Sequence, residues 1–145
     1  MAVTRKLAKA LGLILGACTA LLLVVAVGGY YLLGSMCANE VLAESPSPDG
    51  TFKAIVYERD CGATSDFSTQ ISVLRSWRSL SNSSGNAFVS DSNHGAAPSG
   101  PGGGPEVRLE WASPTDLIVS RHRLARVFLA EPQVGRVNIR YKQFE

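Results

Sequence analysis

The distribution of apolar and polar positions divides the chain at about residue 35. Leu11 to Leu33 form 23 residues without a charged side chain, rich in Leu, Val, Ala and Gly. As a helix this run would extend about 35 Å, enough to cross a hydrocarbon layer of about 30 Å. Beyond it the period changes. Thr51 to Arg59 places Phe52, Ala54 and Val56 on one face and Lys53, Ile55, Tyr57 and Arg59 on the other. Phe67 to Leu74 alternates Ile71 and Val73 with Gln70 and Ser72, and Glu106 to Trp111 alternates Val107, Leu109 and Trp111 with Glu106, Arg108 and Glu110. Asn86–Ser90, Leu117–Ser120, Val127–Leu129 and Arg136–Lys142 read as further strands. Leu74 to Leu80 is the one outer stretch that could form a turn or two of helix. The pattern predicts a mainly β protein: a single N-terminal transmembrane helix followed by a small antiparallel β meander or sandwich.

Turn chemistry sets the divisions. Residues 1–10 form a short N-terminal segment, 11–33 the apolar helix, 34–50 a connector and 51–145 the β domain. Ser47-Pro48-Asp49-Gly50 ends the connector as a tight turn, and Ser113-Pro114-Thr115-Asp116 repeats its chemistry before another apolar strand. These two echoes are too few to close a propeller. Ser92 to Pro105 holds five glycines and three prolines in 14 residues, with too little apolar surface to offset ordering, and is expected to be a flexible loop. Ser79 to Gly85 is a shorter segment of the same kind.

Charge then orients the helix. The net charge of +2 over 145 residues is the sum of +3 from Arg5, Lys6 and Lys9 and −1 from the residues after 35. Basic residues at the near flank, with none between Lys9 and Lys53, keep the N-terminus cytoplasmic and send the β domain outward. Tyr30 and Tyr31 suit the interfacial aromatic belt. The run is longer than the roughly 7–15 apolar residues of a cleaved signal. Leu15-Gly16-Ala17-Cys18 resembles a lipoprotein signal, but an apolar rather than polar stretch follows Cys18. The expectation is therefore a signal anchor in a cytoplasmic membrane with an extracytoplasmic domain. A folded part at −1 argues against nucleic-acid binding, and no glycine-rich phosphate loop leads from a strand into a helix, which argues against a nucleotide.

Cysteine use agrees with that topology. Cys18 falls within the apolar run, whereas Cys37 and Cys61 lie outside it and are expected to form a disulfide in an oxidising compartment. Two free thiols or a redox pair are the competing readings, although no Cys-x-x-Cys occurs.

The candidate binding residues are Arg59, Asp60, Thr64, Asp66, Gln70 and His94. Arg59 to Asp66 is a polar cluster between two strands, where binding groups are often displayed. Asp60 and Asp66 could share a cation, but lack the spacing of a calcium loop, and turn-capping serves them equally well. Asp91 and His94 suggest either a metal site or a general base, yet His122 is the only other histidine and no ligand-rich segment surrounds it. No metal or cofactor is expected. No Gly-x-Ser-x-Gly elbow occurs, so the expected role is non-enzymatic binding or an envelope-accessory function, with an envelope protein as partner. A periplasmic hydrolase using His94 and Asp91 is the alternative. The basic run Arg121 to Arg126 could meet anionic headgroups or an acidic partner, or could serve as a charged strand edge.

Ser47-Pro48-Asp49-Gly50, Phe52 to Val56, Arg59-Asp60-Cys61-Gly62-Ala63-Thr64 and Ser68-Thr69-Gln70-Ile71-Ser72 together carry a likeness. Asn93-His94-Gly95 and Trp111 to Val119 extend it. On these residues the chain resembles a group of short, uncharacterised bacterial membrane-anchored proteins. The resemblance implies a bacterial envelope setting and marks Arg59 to Gln70 as the first segment to mutate. It implies no activity.

Overall fold

The computed structural model describes the backbone of residues 2–34, 37–62 and 67–145, and their side chains apart from 2–8, 10 and 32–34. Two compact units result, residues 1–36 and 37–145. The first is one helix, α1 (Ala2–Gly34). Within it Leu11–Tyr31 is long and apolar enough to cross a membrane, as a membrane anchor or a signal sequence. Thr19 returns its hydroxyl to the carbonyls of Leu15 (3.0 Å) and Gly16 (2.9 Å), so the one aliphatic hydroxyl in this span is satisfied by its own helix.

The second unit is built from two β-sheets. The first contains β1 (Ala38–Pro46), β2 (Phe52–Asp60), β3 (Ser68–Arg75), β4 (Phe88–Asp91) and β7 (Arg126–Ala130), antiparallel throughout in the order β1-β2-β3-β4-β7. The second contains β5 (Val107–Ser113), β6 (Asp116–His122), β9 (Val137–Phe144) and β8 (Gln133–Val134), in the order β5-β6-β9-β8. Between β6 and β9 the chain visits the first sheet as β7, so β9 returns parallel to β6, the one parallel pairing among the described strands. Phe52, Ala54, Val56, Ile71, Val73 and Phe88 from the first sheet meet Leu117, Val119, Val137 and Ile139 from the second in one buried cluster. Phe52, Ala54, Val56, Ile71 and Val73 are among the positions picked out by alternation.

The two Ser-Pro segments each close a hairpin in which the serine donates to a nearby aspartate. In the β1–β2 turn, Asp49 accepts from the Ser47 hydroxyl (2.7 Å), the Thr51 hydroxyl (2.6 Å) and the Thr51 amide (3.1 Å), while Gly50 sits at φ 71°. The Thr51 and Ser47 hydroxyls and the Thr51 amide hold the Asp49 carboxyl down to about 2. In the β5–β6 turn, Ser113 donates to Asp116 and accepts from the Thr115 amide at 3.2 Å.

Several expectations are revised. Residues 38–46 of the expected connector form β1, an edge strand whose pairing slips between Val41 and Ala43. That irregularity breaks the two-residue period and leaves Leu42 packed against the core. Leu74 to Leu80 continues β3 into a turn rather than a helix. The short β8 was not anticipated. Ile55 and Tyr57, which share the second face of β2 with Lys53 and Arg59, are fully buried. Residues 76–86 fold back over that face: Tyr57 meets the Ser72 hydroxyl at 3.1 Å and donates to the Ser83 carbonyl at 3.2 Å, and Asn39 donates to the carbonyls of Ser81 (3.1 Å) and Ser83 (2.9 Å).

Residues 92–105 are also packed against the domain. Ala97 and Pro105 are buried, Thr69 donates to the Pro105 carbonyl at 2.7 Å, and Gly100 donates to the Gly104 carbonyl at 2.7 Å. Glycine permits this approach: a Cβ on Gly104 would lie 2.5 Å from the Thr69 hydroxyl and 2.8 Å from its amide nitrogen.

Candidate functional site

Strand register gathers residues far apart in sequence. Arg59 lies opposite Ser68, Ser68 opposite Asp91, and Asp91 opposite Arg126, so one row crosses β2, β3, β4 and β7. A second row runs Tyr57, Gln70, Val89. These residues occupy the face opposite Val56, Ile71, Phe88 and Val127, which turn to the core. At the Arg59 end this face carries an open cavity of about 580 Å³, whose walls include Arg59, Gln70, Asp91, His94, Arg126 and Phe128. Three of the six candidate binding residues, Arg59, Gln70 and His94, are therefore brought together, along with Asp91. Asp60 is exposed at the end of β2, where it accepts from the Gly62 amide at 2.8 Å and caps that turn. Thr64 and Asp66 lie outside the described residues.

Asp91 and Arg126 form the fixed part of the wall. Asp91 is 4% exposed, and its carboxylate accepts from Arg126 Nε at 3.1 and 3.2 Å, from Arg126 Nη2, and from the Asn93 amide at 2.9 Å. Burial pushes its pKa upward, but the Arg126 hydrogen bonds, the Asn93 amide and the charges of Arg126 and His94 together hold it below the usual carboxylate value. Arg126 Nη1 lies 3.4 Å from His94 Nε2. Because a guanidinium only donates, Nε2 is the acceptor there. Arg126 also lies 5.0 Å from the ring centre of Phe128, which is 59% exposed.

His94 reaches this position through an uncommon backbone. Asn93 and His94 both take left-handed conformations, at φ 51° and 56°, and Gly95 follows at 84°. A histidine at positive φ is disfavoured by about 1 kcal/mol or more. Asn93 ties the segment to the Leu124 carbonyl at 3.4 Å.

On the other wall Arg59 Nη1 donates to the side-chain oxygens of Asn39 (2.6 Å) and Asn82 (3.2 Å). Cys61, also part of the wall, is joined to Cys37 by a disulfide. The bridge extends the β1–β2 ladder beyond its Ala38–Asp60 pair. On the floor, Gln70 Oε1 accepts from the Ser84 hydroxyl (3.0 Å) and the Gly85 amide (2.7 Å), while its Nε2 donates to Ser68 at 3.0 Å.

Arg126 and Phe128 were missed as site residues. The basic run Arg121 to Arg126 gave a signal for Arg126, but its pairing with Asp91 depends on strands 35 residues apart. Phe128 had no distinguishing signal. Among the described residues no three His, Cys, Asp or Glu side chains are grouped to hold a metal ion. The chain matches no known family model, no curated protein and no solved structure.

Proposed function

We propose that this chain is a single-pass bacterial envelope protein, anchored by residues 11–33 with its N-terminus in the cytoplasm. Its β domain works outside the membrane as a non-catalytic binding module. The observation that carries this reading is the cavity that assembles Arg59, Gln70, Asp91 and His94 on one sheet face. Outward orientation is supported by the Cys37–Cys61 disulfide and by Arg5, Lys6 and Lys9 before the apolar run. Binding is favoured over hydrolysis because the Asp91 carboxylate is engaged by Arg126 and Asn93, away from the role of orienting a catalytic histidine.

A photo-crosslinking side chain at Ser84, in the cavity wall, tests the module in native membranes with the full chain. A discrete adduct that disappears in the Asp91→Ala background supports the reading. Absence of any adduct at Ser84 and at a second wall position, Val89, with the protein folded and present, overturns it. A C-terminal reporter active only in the cytoplasm would overturn the orientation.

A further inference from the structure

The wall's hydrogen-bonding capacity is unbalanced. Its carboxylate and amide acceptors are already engaged, Asp91 by Arg126 and Asn93 and Gln70 Oε1 by Ser84 and Gly85, and the Ser68 hydroxyl accepts from Gln70 Nε2 while donating to the Arg59 carbonyl at 3.0 Å. Donor capacity remains. Arg59 uses only Nη1 for its two amide acceptors, leaving Nε and Nη2 without an acceptor among the described residues. It also has no carboxylate partner among them. Gln70 Nε2 keeps a second hydrogen beyond the one given to Ser68. A ligand fitting this wall presents acceptors, and an Nε/Nη2 edge matches two oxygens of one oxyanion. Beside these donors lie Val89 and the exposed ring of Phe128, an apolar ledge that a bare inorganic ion would not use.

We propose that the cavity binds the phosphoryl group of a membrane lipid, with Arg59 and Gln70 donating to the phosphate oxygens and the adjoining glycerol and first methylenes resting on Val89 and Phe128. This rests on the binding-module reading above and adds the ligand class to it. A lipid is the favoured source because the donors adjoin this apolar ledge and, on the reading above, residues 11–33 hold the chain at a membrane. The stacked Arg126–Phe128 pair gives one surface suited to both a headgroup and its aliphatic neighbour.

The test uses the full chain in maltoside micelles, which contain no phosphate, with the Arg59 Nε–H and Gln70 Nε2–H signals followed by NMR. Titrated probes are dihexanoylphosphatidic acid, inorganic phosphate and dihexanoylglycerol. The expected result is saturable movement of both signals with phosphatidic acid, at least tenfold weaker binding of inorganic phosphate, and at least a tenfold increase in Kd for phosphatidic acid in Arg59→Gln. Arg59→Lys, which keeps the charge but loses the fork, is expected to recover part of the affinity. Equal affinity for inorganic phosphate would overturn the lipid source, and equal affinity for the neutral glyceride would overturn the oxyanion. If no probe moves either signal, the ligand class is wrong, while a Ser84 adduct in native membranes would leave the binding module standing.

Discussion

Substituting Asp91→Asn tests the fixed part of the cavity wall. The change removes one charge and leaves volume and the Asn93 contact nearly intact, so its effect isolates the pairing with Arg126. A fully buried pair loses about 3–5 kcal/mol when one partner is removed, and an exposed pair about 0.2–1 kcal/mol. Here the side chains are 6% exposed for Asp91 and 41% for Arg126, so Arg126 can regain water and the expected loss is intermediate, about 2 kcal/mol. For a domain of about 100 residues that lowers Tm by roughly 8 °C or more. The loss depends on pH. Asp91 is buried, which raises its pKa, but its bonds to Arg126 and Asn93 and the neighbouring charges hold the folded-state value below the ordinary one. A depressed folded-state pKa contributes stability that is complete above the unfolded value of about 3.9 and is lost as pH falls through the folded value. The wild-type advantage is therefore full at neutral pH and narrows below roughly pH 4. Urea unfolding of the full chain in micelles, followed by Trp77 and Trp111 fluorescence, measures it. Equal midpoints at neutral pH, or a gap that stays constant into acid, would refute the assignment of this pair as a stabilising, ionised contact.

Two further stability predictions concern covalent and steric locks. Replacing Cys37 and Cys61 together by Ser opens a loop of about 25 residues and is expected to cost on the order of 3 kcal/mol; in the unaltered, denatured protein thiol labelling should modify Cys18 alone, and two additional reactive thiols would remove the bridge. Gly104→Ala drives a Cβ into the Thr69 hydroxyl and amide and is expected to destabilise by about 1–3 kcal/mol. Gly12→Ala, which has open space around the new atom, should be neutral by the same unfolding assay.

Legibility in the sequence followed the range of the interaction. The apolar helix, most strands and the two Ser-Pro hairpins depend on residues within about ten positions, and they were readable from hydropathy period and turn chemistry. β1 was not, because its slipped pairing at Val41 to Ala43 removes the alternation that marks a strand. Arg59, Gln70 and His94 were identifiable as polar residues near strand ends, and Asp91 as an acid near His94. That they share a cavity was not readable, since Arg59, Ser68, Asp91 and Arg126 become neighbours only once four strands take their register. Glycine-rich composition misled for a related reason: it lowers propensity for regular structure, but here it also lets residues 100–104 approach the strands closely enough to pack.

The location of the cavity follows from how the outer face of the first sheet is covered. A sheet in a two-layer domain buries one face, and its other face ordinarily meets water. Here residues 76–86 cover part of that outer face, where Ile55 and Tyr57 are completely buried, and tie down through Asn39, Ser72 and Gln70. The cover ends at Ser84 and Gly85, beside Gln70. Beyond it, the His94 segment rises from the end of β4, and β7 carries an extra residue opposite Val89 and Ser90, which turns Phe128 toward the same space. The cavity is thus the gap between a loop that stops short and a bulged edge strand, floored by residues whose acceptors are already satisfied. Of the two arginines in the cavity wall, Arg126 is paired with Asp91 and Arg59 has no carboxylate partner among the described residues, and this makes Arg59→Gln the substitution that best separates a structural arginine from a ligand-binding one. A structural role predicts lost stability through Asn39 and Asn82 with probe affinity unchanged, whereas a binding role predicts the affinity loss in protein that remains folded.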